Sequence, residues 1–451
     1  MSPLGDSIFG LSVKGAFDAT ERSFLPNGSL DTLVTREAVL SGLGGYQDGD
    51  AELVRFVLQE AKKVFAIMVH WDFNCTELRK ATGLFKRFKI YDEKLPMEQP
   101  APNEENGKFT VEKYKTPLQP PFQDTFWTVQ KVNNFWNSQW HFLAPTFSDD
   151  THCLELPPET ILPITSKHPV VKEGAFSQVF QVTVHPAHLK FSGVVPPPNI
   201  AIKEVRRNDD RMHEEALQEA FEKELEISQV ANALNHDYIV RRIAAFKKGE
   251  KRYFMSPWAD GGNLQEFWEK NNVPELSAER MKETISQLHG LAEAIFKFST
   301  ENIRHGDIKP ENILVFHGGE KWMGTLKIAD LGLAKQHTVA TQQRHCGTTR
   351  TGAYDSWPME CIMLELLIWL LYVYNELTRF RVRLEGNPDG SEPARRTPFF
   401  KEEWGNQGRA ARVHHVVEHW MDHISRDQEC DGETAMKDLL DIIRAKVRVK
   451  V

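Results

Sequence analysis

Cysteine is scarce in this 451-residue sequence, and the five present are scattered. No two of Cys75, Cys153, Cys346, Cys361 and Cys430 stand at metal-ligand spacing. A disulfide framework and a structural zinc site are both disfavoured, and a reduced compartment is the better setting. A positive surplus is also lacking: 63 acidic residues face 55 basic ones, for a net charge of −8. That balance speaks against nucleic acid or an anionic membrane as main partner. The first residues, MSPLGDSIFGLSVKG, lack a basic stretch leading into an apolar core. No secretory signal is expected, and the expected location is the cytoplasm, extending to the nucleus. No internal repeat is visible. The strongest apolar run, Cys361–Tyr374, is interrupted by Glu365. It falls short of the roughly 20 residues that span a bilayer, so it predicts a buried core helix and no membrane span.

What is present suffices for a sizeable core, since 41% of residues are apolar. The length suggests two or three domains. Residues 1–90 read as helical. After Asp50, the residues Leu53, Val57, Ala61, Val64, Phe65 and Met68 recur at three- and four-residue steps, predicting one apolar helix face. Residues 91–125 read as a linker, because six prolines and many charges occur there without periodicity. Residues 126–165 form an aromatic-rich connector with Phe126, Trp127, Phe135, Trp136, Trp140 and Phe142. Aromatics stack on bases or pack domains together. With little basic charge nearby, packing is expected. From residue 166 the β-branched runs Val170–Val171, Gln178–Val184 and Ile200–Val205 predict strands. A helical stretch follows at Asp210–Asn235, and the chain after Ala278 reads as mainly helical. Strands first and helices later predict a two-lobed α+β domain.

Three elements carry chemistry. Lys172–Val182, KEGAFSQVFQV, contains Gly174, Phe176 and Val179. A glycine-rich hairpin lets backbone N–H groups approach phosphates, but one glycine alone is a weak signal. Next comes the strand end Ile200-Ala201-Ile202-Lys203. A lysine there needs an anionic partner, since burying an unpaired ammonium is costly. Glu224 on the following helix is the best carboxylate, with Glu222 and Glu226 as rivals. The third element is decisive. Residues 305–312 read His-Gly-Asp-Ile-Lys-Pro-Glu-Asn, and residues 326–332 read Leu-Lys-Ile-Ala-Asp-Leu-Gly. One loop thus offers a carboxylate, an amine and an amide, with a second carboxylate 18 residues past the amide. Phosphoryl transfer needs this set. Asp307 can orient a hydroxyl and accept its proton, and Lys309 can neutralise the transferred group. Asn312 and Asp330 can hold magnesium.

In this order the motifs resemble the protein kinase family over residues 166–451. Ile308–Asn312 is similar to the serine/threonine branch. The resemblance implies a small β-rich N-lobe over about residues 166–258 and a mainly helical C-lobe over about 259–451. It implies ATP and Mg2+ as cofactors and a protein as substrate. ATP would meet Gly174, Phe176, Val179, Ala201 and Lys203, with the hinge near Pro257 and Ala259 facing adenine. His305, Thr348 and Asp355 would support the catalytic loop. The run R-Y-F-M-S-P-W-A-D-G-G-N-L also resembles a group of filamentous-fungal kinases.

The sequence departs from the family in several places. Gly306 stands where most kinases have an arginine that pairs with an activation-segment phosphate. After His345–Arg350 the A-P-E motif is missing, and the chain runs directly to Tyr354-Asp355-Ser356-Trp357. A pseudokinase that keeps the fold without efficient turnover is therefore the alternative reading. His415, His419 and His423 recur every four residues, a spacing that faintly resembles a zinc-protease helix but lacks its catalytic glutamate and any distal ligand. Val413, Val417, Trp420 and Ile424 are the expected buried face of that helix, which leaves the histidines to solvent.

Overall fold

The alternation of Ile200–Val205 appears as a strand whose Ile200, Ile202 and Glu204 are buried while the residues between are half-exposed. A computed structural model describes residues 3–98, 102–105, 108–114, 120–148, 152–173, 177–191, 197–206, 214–272, 276–318, 321–336, 353–385, 399–405 and 408–447. The chain forms two units. One comprises Met1–Asn208 with Ile243–Ser256, and the other Asp209–Arg242 with Pro257–Val451.

Among its described residues the first unit begins with seven helices: α1 Pro3–Leu11, α2 Ser29–Leu33, α3 Arg36–Gly42, α4 Asp50–Glu60, α5 Lys62–His70, α6 Cys75–Arg87 and α7 Val129–Gln139. The apolar stripe after Asp50 is thus carried by two helices, not one. Ala61 breaks the helix at φ −138° and ψ 35°. The break is stabilised from outside. The Asp92 carboxylate accepts the backbone N–H groups of Lys63 and Val64, each at 3.0 Å, and so caps α5. α6 is capped locally, by the reciprocal Asn74–Glu77 box. The stretch around residues 102–114 carries a two-stranded hairpin. Phe126, Trp127, Phe135 and Phe142 of the connector pack in the helical core, and Trp136 and Trp140 in a separate cluster with Phe24 and Ile161. Trp127, Phe135, Trp140 and Phe142 are all buried, with Phe122 and Trp127 4.7 Å apart and edge-to-face.

The same unit holds a six-stranded sheet. Its strands are β1 Leu154–Leu156, β2 Ile164–Glu173, β3 Ser177–Val184, β4 Ile200–Val205, β5 Ala244–Lys248 and β6 Lys251–Pro257, in the order β1-β5-β6-β4-β3-β2. In the antiparallel register Lys203 faces Val179 and Ile202 faces Phe180. Because strand side chains alternate, Val179, Ala201 and Lys203 share one face, and Phe180, Ile200 and Ile202 the other. The second face is the core, joined by Phe147, Phe246, Tyr253 and Met255.

The second unit is mainly helical: α8 Glu214–Ala233, α9 Leu264–Lys270, α10 Ala278–Thr300, α11 Ala353–Glu385, α12 His415–Ile424 and α13 Ala435–Val447. Two strands, β7 Ile313–Phe316 and β8 Thr325–Ile328, pair antiparallel. The apolar run expected as a core helix lies in α11, with Leu364 and Leu366–Leu370 all buried. The Trp369 indole donates to the Trp268 carbonyl at 3.0 Å. By length and composition alone Asp355–Leu384 could cross a membrane. It is not straight, however. Val373 has φ 64° and ψ 172°, and Arg381 grips Glu365 bidentately at 2.9 and 2.7 Å. Sixteen residues of straight helix would separate their backbones by about 24 Å, so the chain turns back at Val373. The helix therefore does not run straight from Asp355 to Leu384. On α12, Val417, Trp420 and Ile424 are buried and His415, His419 and His423 exposed, as the pattern predicted, while Val413 precedes the helix and is only half-buried. Among the described residues no cluster of His, Cys, Asp or Glu could hold a metal.

Candidate active site

The loop from His305 to Asn312 is held from inside and from below. Inside it, the Asp307 carboxylate is the hub. Its Oδ2 accepts Lys309 Nζ at 2.6 Å and Asn312 Nδ2 at 2.8 Å. Asn312 Nδ2 also donates to the Asp307 carbonyl at 2.8 Å. From below, the buried Asp355 on α11 accepts the N–H of His305 at 2.6 Å and of Gly306 at 3.0 Å. Two backbone donors on one carboxylate fix the turn that aims Asp307.

His305 is fully buried. Its Nε2 meets the Ala329 carbonyl at 3.1 Å, and its Nδ1 faces the Asp307 N–H at 3.3 Å. A carbonyl only accepts and an amide N–H only donates, so the proton belongs on Nε2 and the ring is neutral. Burial pushes its pKa down, opposed in part by Asp355 and the Ala329 bond.

Gly306 has φ +79°, and a Cβ there would lie 3.2 Å from the Leu333 carbonyl oxygen. The family's arginine is thus replaced by a residue suited to a left-handed turn. That local requirement was not readable from the sequence.

Asn312 and Asp330 come together through the β7–β8 hairpin. Ile313 pairs with Ile328, and the Ala329 N–H continues the ladder to the Asn312 carbonyl at 2.9 Å. The two predicted metal ligands therefore leave the same end of one hairpin. Asp330 has φ 65°, an unusual backbone for a non-glycine residue, and its Oδ1 accepts the Gly332 N–H at 3.3 Å. With the Asn312 amide nitrogen turned to Asp307, its carbonyl oxygen is the atom available to a cation. Asn312 Oδ1 and the Asp330 carboxylate are hard oxygen donors, which suit Mg2+. Two protein ligands also match an ion completed by phosphate and water.

Other predicted residues lie elsewhere. Lys203, Ala201 and Val179 share one sheet face in the first unit. Glu224 lies on α8 in the second. Pro257 and Ala259 precede a tight zipper in which Gly261 N–H meets the Val315 carbonyl at 3.0 Å and Val315 N–H meets Gly262 at 2.8 Å. A Cβ on Gly261 would lie 2.6 Å from Val315 Cγ1, so only glycine allows this approach. Gly174, Phe176 and Thr348 fall outside the described residues, as does the segment in which A-P-E was sought. Sequence reasoning missed one supporting network. Arg381, besides gripping Glu365, donates to Gln265 on α9 and lies over the Trp268 ring. No spacing rule flags a pair that meets only because the chain reverses.

Comparison with known proteins agrees with this geometry. A family profile described as "Protein kinase domain" matches residues 170–368. The chain is similar to the serine/threonine-protein kinase DCLK3 of Mus musculus, 28% identical over 41% of this chain and 24% of that protein. It is similar to the serine/threonine-protein kinase cds1 of Schizosaccharomyces pombe, 27% identical over 34% of this chain and 35% of that protein. It is also similar to the human serine/threonine-protein kinase H2, 27% identical over 44% of this chain and 49% of that protein. The matched region spans at most about half the length of these relatives.

Proposed function

We propose that this chain, whose residues 170–368 match a protein kinase domain profile, transfers the γ-phosphoryl group of ATP to a serine or threonine hydroxyl of a cytoplasmic protein. The observation that carries the reading is the grip of Lys309 and Asn312 on one Asp307 carboxylate oxygen. Such a carboxylate is fixed in direction, which positioning an acceptor hydroxyl requires. Asp307 orients that hydroxyl and takes its proton. Lys309 stands beside it to offset charge on the transferring group. Asn312 and Asp330 would hold an Mg2+, which when bound would offset the negative charge of the phosphates. Lys203, with Glu224 as its carboxylate, holds the α- and β-phosphates, and Val179 and Ala201 line the adenine side.

A second reading, a pseudokinase that binds nucleotide without efficient turnover, is favoured by the sequence running from Thr348 to Asp355 without A-P-E. Two measurements separate the readings. Saturating Mg-ATP at 100 times its dissociation constant should stabilise the fold by about 2.7 kcal/mol. Absence of any shift at millimolar Mg-ATP sinks nucleotide binding in both readings. Phosphorylation of a generic protein substrate that Asp307→Asn abolishes supports the first. Binding with no such transfer supports the second. The expected rate lies below the ~1–100 per second of ordinary kinases, since the docking segment is shortened.

A further inference from the structure

The N-terminal region sends a small hairpin across to the kinase sheet. Val13 pairs with Phe24 and Lys14 with Ser23. Its tip docks on the sheet face opposite Lys203. The Ala16 N–H meets the Ile164 carbonyl at 2.7 Å. The Phe17 ring lies 5.9 Å from Phe180 and 5.7 Å from Tyr253, both edge-on. Lys167 Nζ covers both Phe17 and Phe180, and Asp18 pairs with Lys248 at 2.7 Å.

The base of the hairpin is held by two buried imidazoles. His141 Nδ1 meets the Ser23 carbonyl at 2.7 Å, and its Nε2 meets the Ser12 hydroxyl at 2.8 Å. The ring also stacks on His70 at 4.5 Å. His188 Nδ1 meets the Pro145 carbonyl at 2.9 Å, and its Nε2 accepts the Asn27 N–H at 3.0 Å. The last bond settles the charge state. Pro145 offers only an acceptor and Asn27 only a donor, so His188 must carry one proton, on Nδ1. A second proton on Nε2 would face the Asn27 N–H directly.

We propose that His141 and His188 form a proton-sensitive latch, which holds the hairpin Val13–Phe24 over the Phe180 face of the kinase sheet at neutral pH and releases it on acidification. The Asn27 N–H opposes a second charge on His188, whereas on His141 burial and the stacked His70 oppose it, since the Ser12 hydroxyl, which can donate to the Ile8 carbonyl at 2.7 Å, could accept from Nε2. The charged groups acting on His188 are His185 and Lys63, and on His141 it is His70. All three carry positive charge when protonated, and burial adds the larger penalty. Release would uncover Phe180, Tyr253 and Lys167 without touching the face that bears Lys203. The helical region would thereby report acidity to the sheet. This inference does not depend on catalytic turnover.

Hydrogen exchange of the full chain, corrected for intrinsic rates, tests the latch between pH 7.5 and 5.0. With each ring lowered from 6.5 to about 4, opening should rise by about thirtyfold per histidine at residues 23–27. Strands β3–β6 should stay protected. His188→Gln can keep both bonds, with Oε1 accepting from Asn27 and Nε2 donating to Pro145. This variant should match the parent at pH 7.5 and lose about half of the logarithmic response. Three results would overturn the proposal: no pH response at residues 23–27, an equal loss of protection in the sheet, or a full response in His188→Gln.

Discussion

Replacing Asp355 by asparagine tests the support beneath the candidate catalytic loop. The native carboxylate is 4% exposed and accepts the His305 and Gly306 N–H groups at 2.6 and 3.0 Å. Hydrogen bonds to a charged group contribute about 1.5–3 kcal/mol each. Asparagine can keep one, through its carbonyl oxygen, at reduced strength. Its NH2 must then face the other backbone donor, which loses that bond and leaves a buried N–H unpaired. The sum is a loss of about 3–4 kcal/mol, a large part of the 5–15 kcal/mol that stabilises a typical fold. The neutral state of His305 is no complication. Burial is the main force holding its pKa down, and Asp355 raises it, so the substitution lowers it further. Urea unfolding should show a lower midpoint with an unchanged slope. Amides of residues 305–307 should exchange faster than those of α10. A loss below about 1 kcal/mol would refute the clamp, because losing one charge-assisted bond and weakening the other must cost more than that.

Three further substitutions follow from the same geometry. Gly306→Ala forces a side chain into φ +79° and should cost about 1–2 kcal/mol. An unchanged melting temperature would contradict the left-handed turn. Arg381→Met leaves Glu365 buried and uncompensated and should cost about 3–5 kcal/mol, much of it restored when Glu365→Leu is added. If the double variant is no more stable than the single, the ion pair is not what couples the two arms of α11. Burial raises the Glu360 pKa to about 7, opposed by Lys446. A carboxyl raised in the folded state stabilises the fold below its unfolded value near 4.5, and this contribution is lost as pH rises through 7. Glu360→Gln should therefore be more stable than the parent at pH 8 and equal to it near pH 4. Parallel stability–pH curves would rule this out.

The loop chemistry was legible in the sequence because it is local. Asp307, Lys309 and Asn312 lie within six residues and bond mainly to one another, so their spacing carries their geometry. The Asn74–Glu77 capping box and the alternation of Ile200–Val205 are local for the same reason: helix turns and strand pleats repeat within a few residues. The aromatic connector was also readable as packing, since its rings arrive together with little basic charge. Contacts between distant segments were decided only by the tertiary structure. Ala61 breaks a helix whose apolar period runs on through it, because Asp92 arrives to cap the second half. Gly306 reads as a lost arginine, yet the Asp355 clamp and the Leu333 carbonyl make it a turn residue. Cys361–Tyr374 reads as one apolar helix, yet Arg381 returns to Glu365 across a reversal at Val373. His141 and His188 carry no motif at all; their partners Ser12 and Asn27 lie 129 and 161 residues away. Periodicity reports which face of an element is apolar. A single polar side chain that caps, clamps or latches a remote backbone group leaves no period behind, so its role is set by which segments the fold brings together.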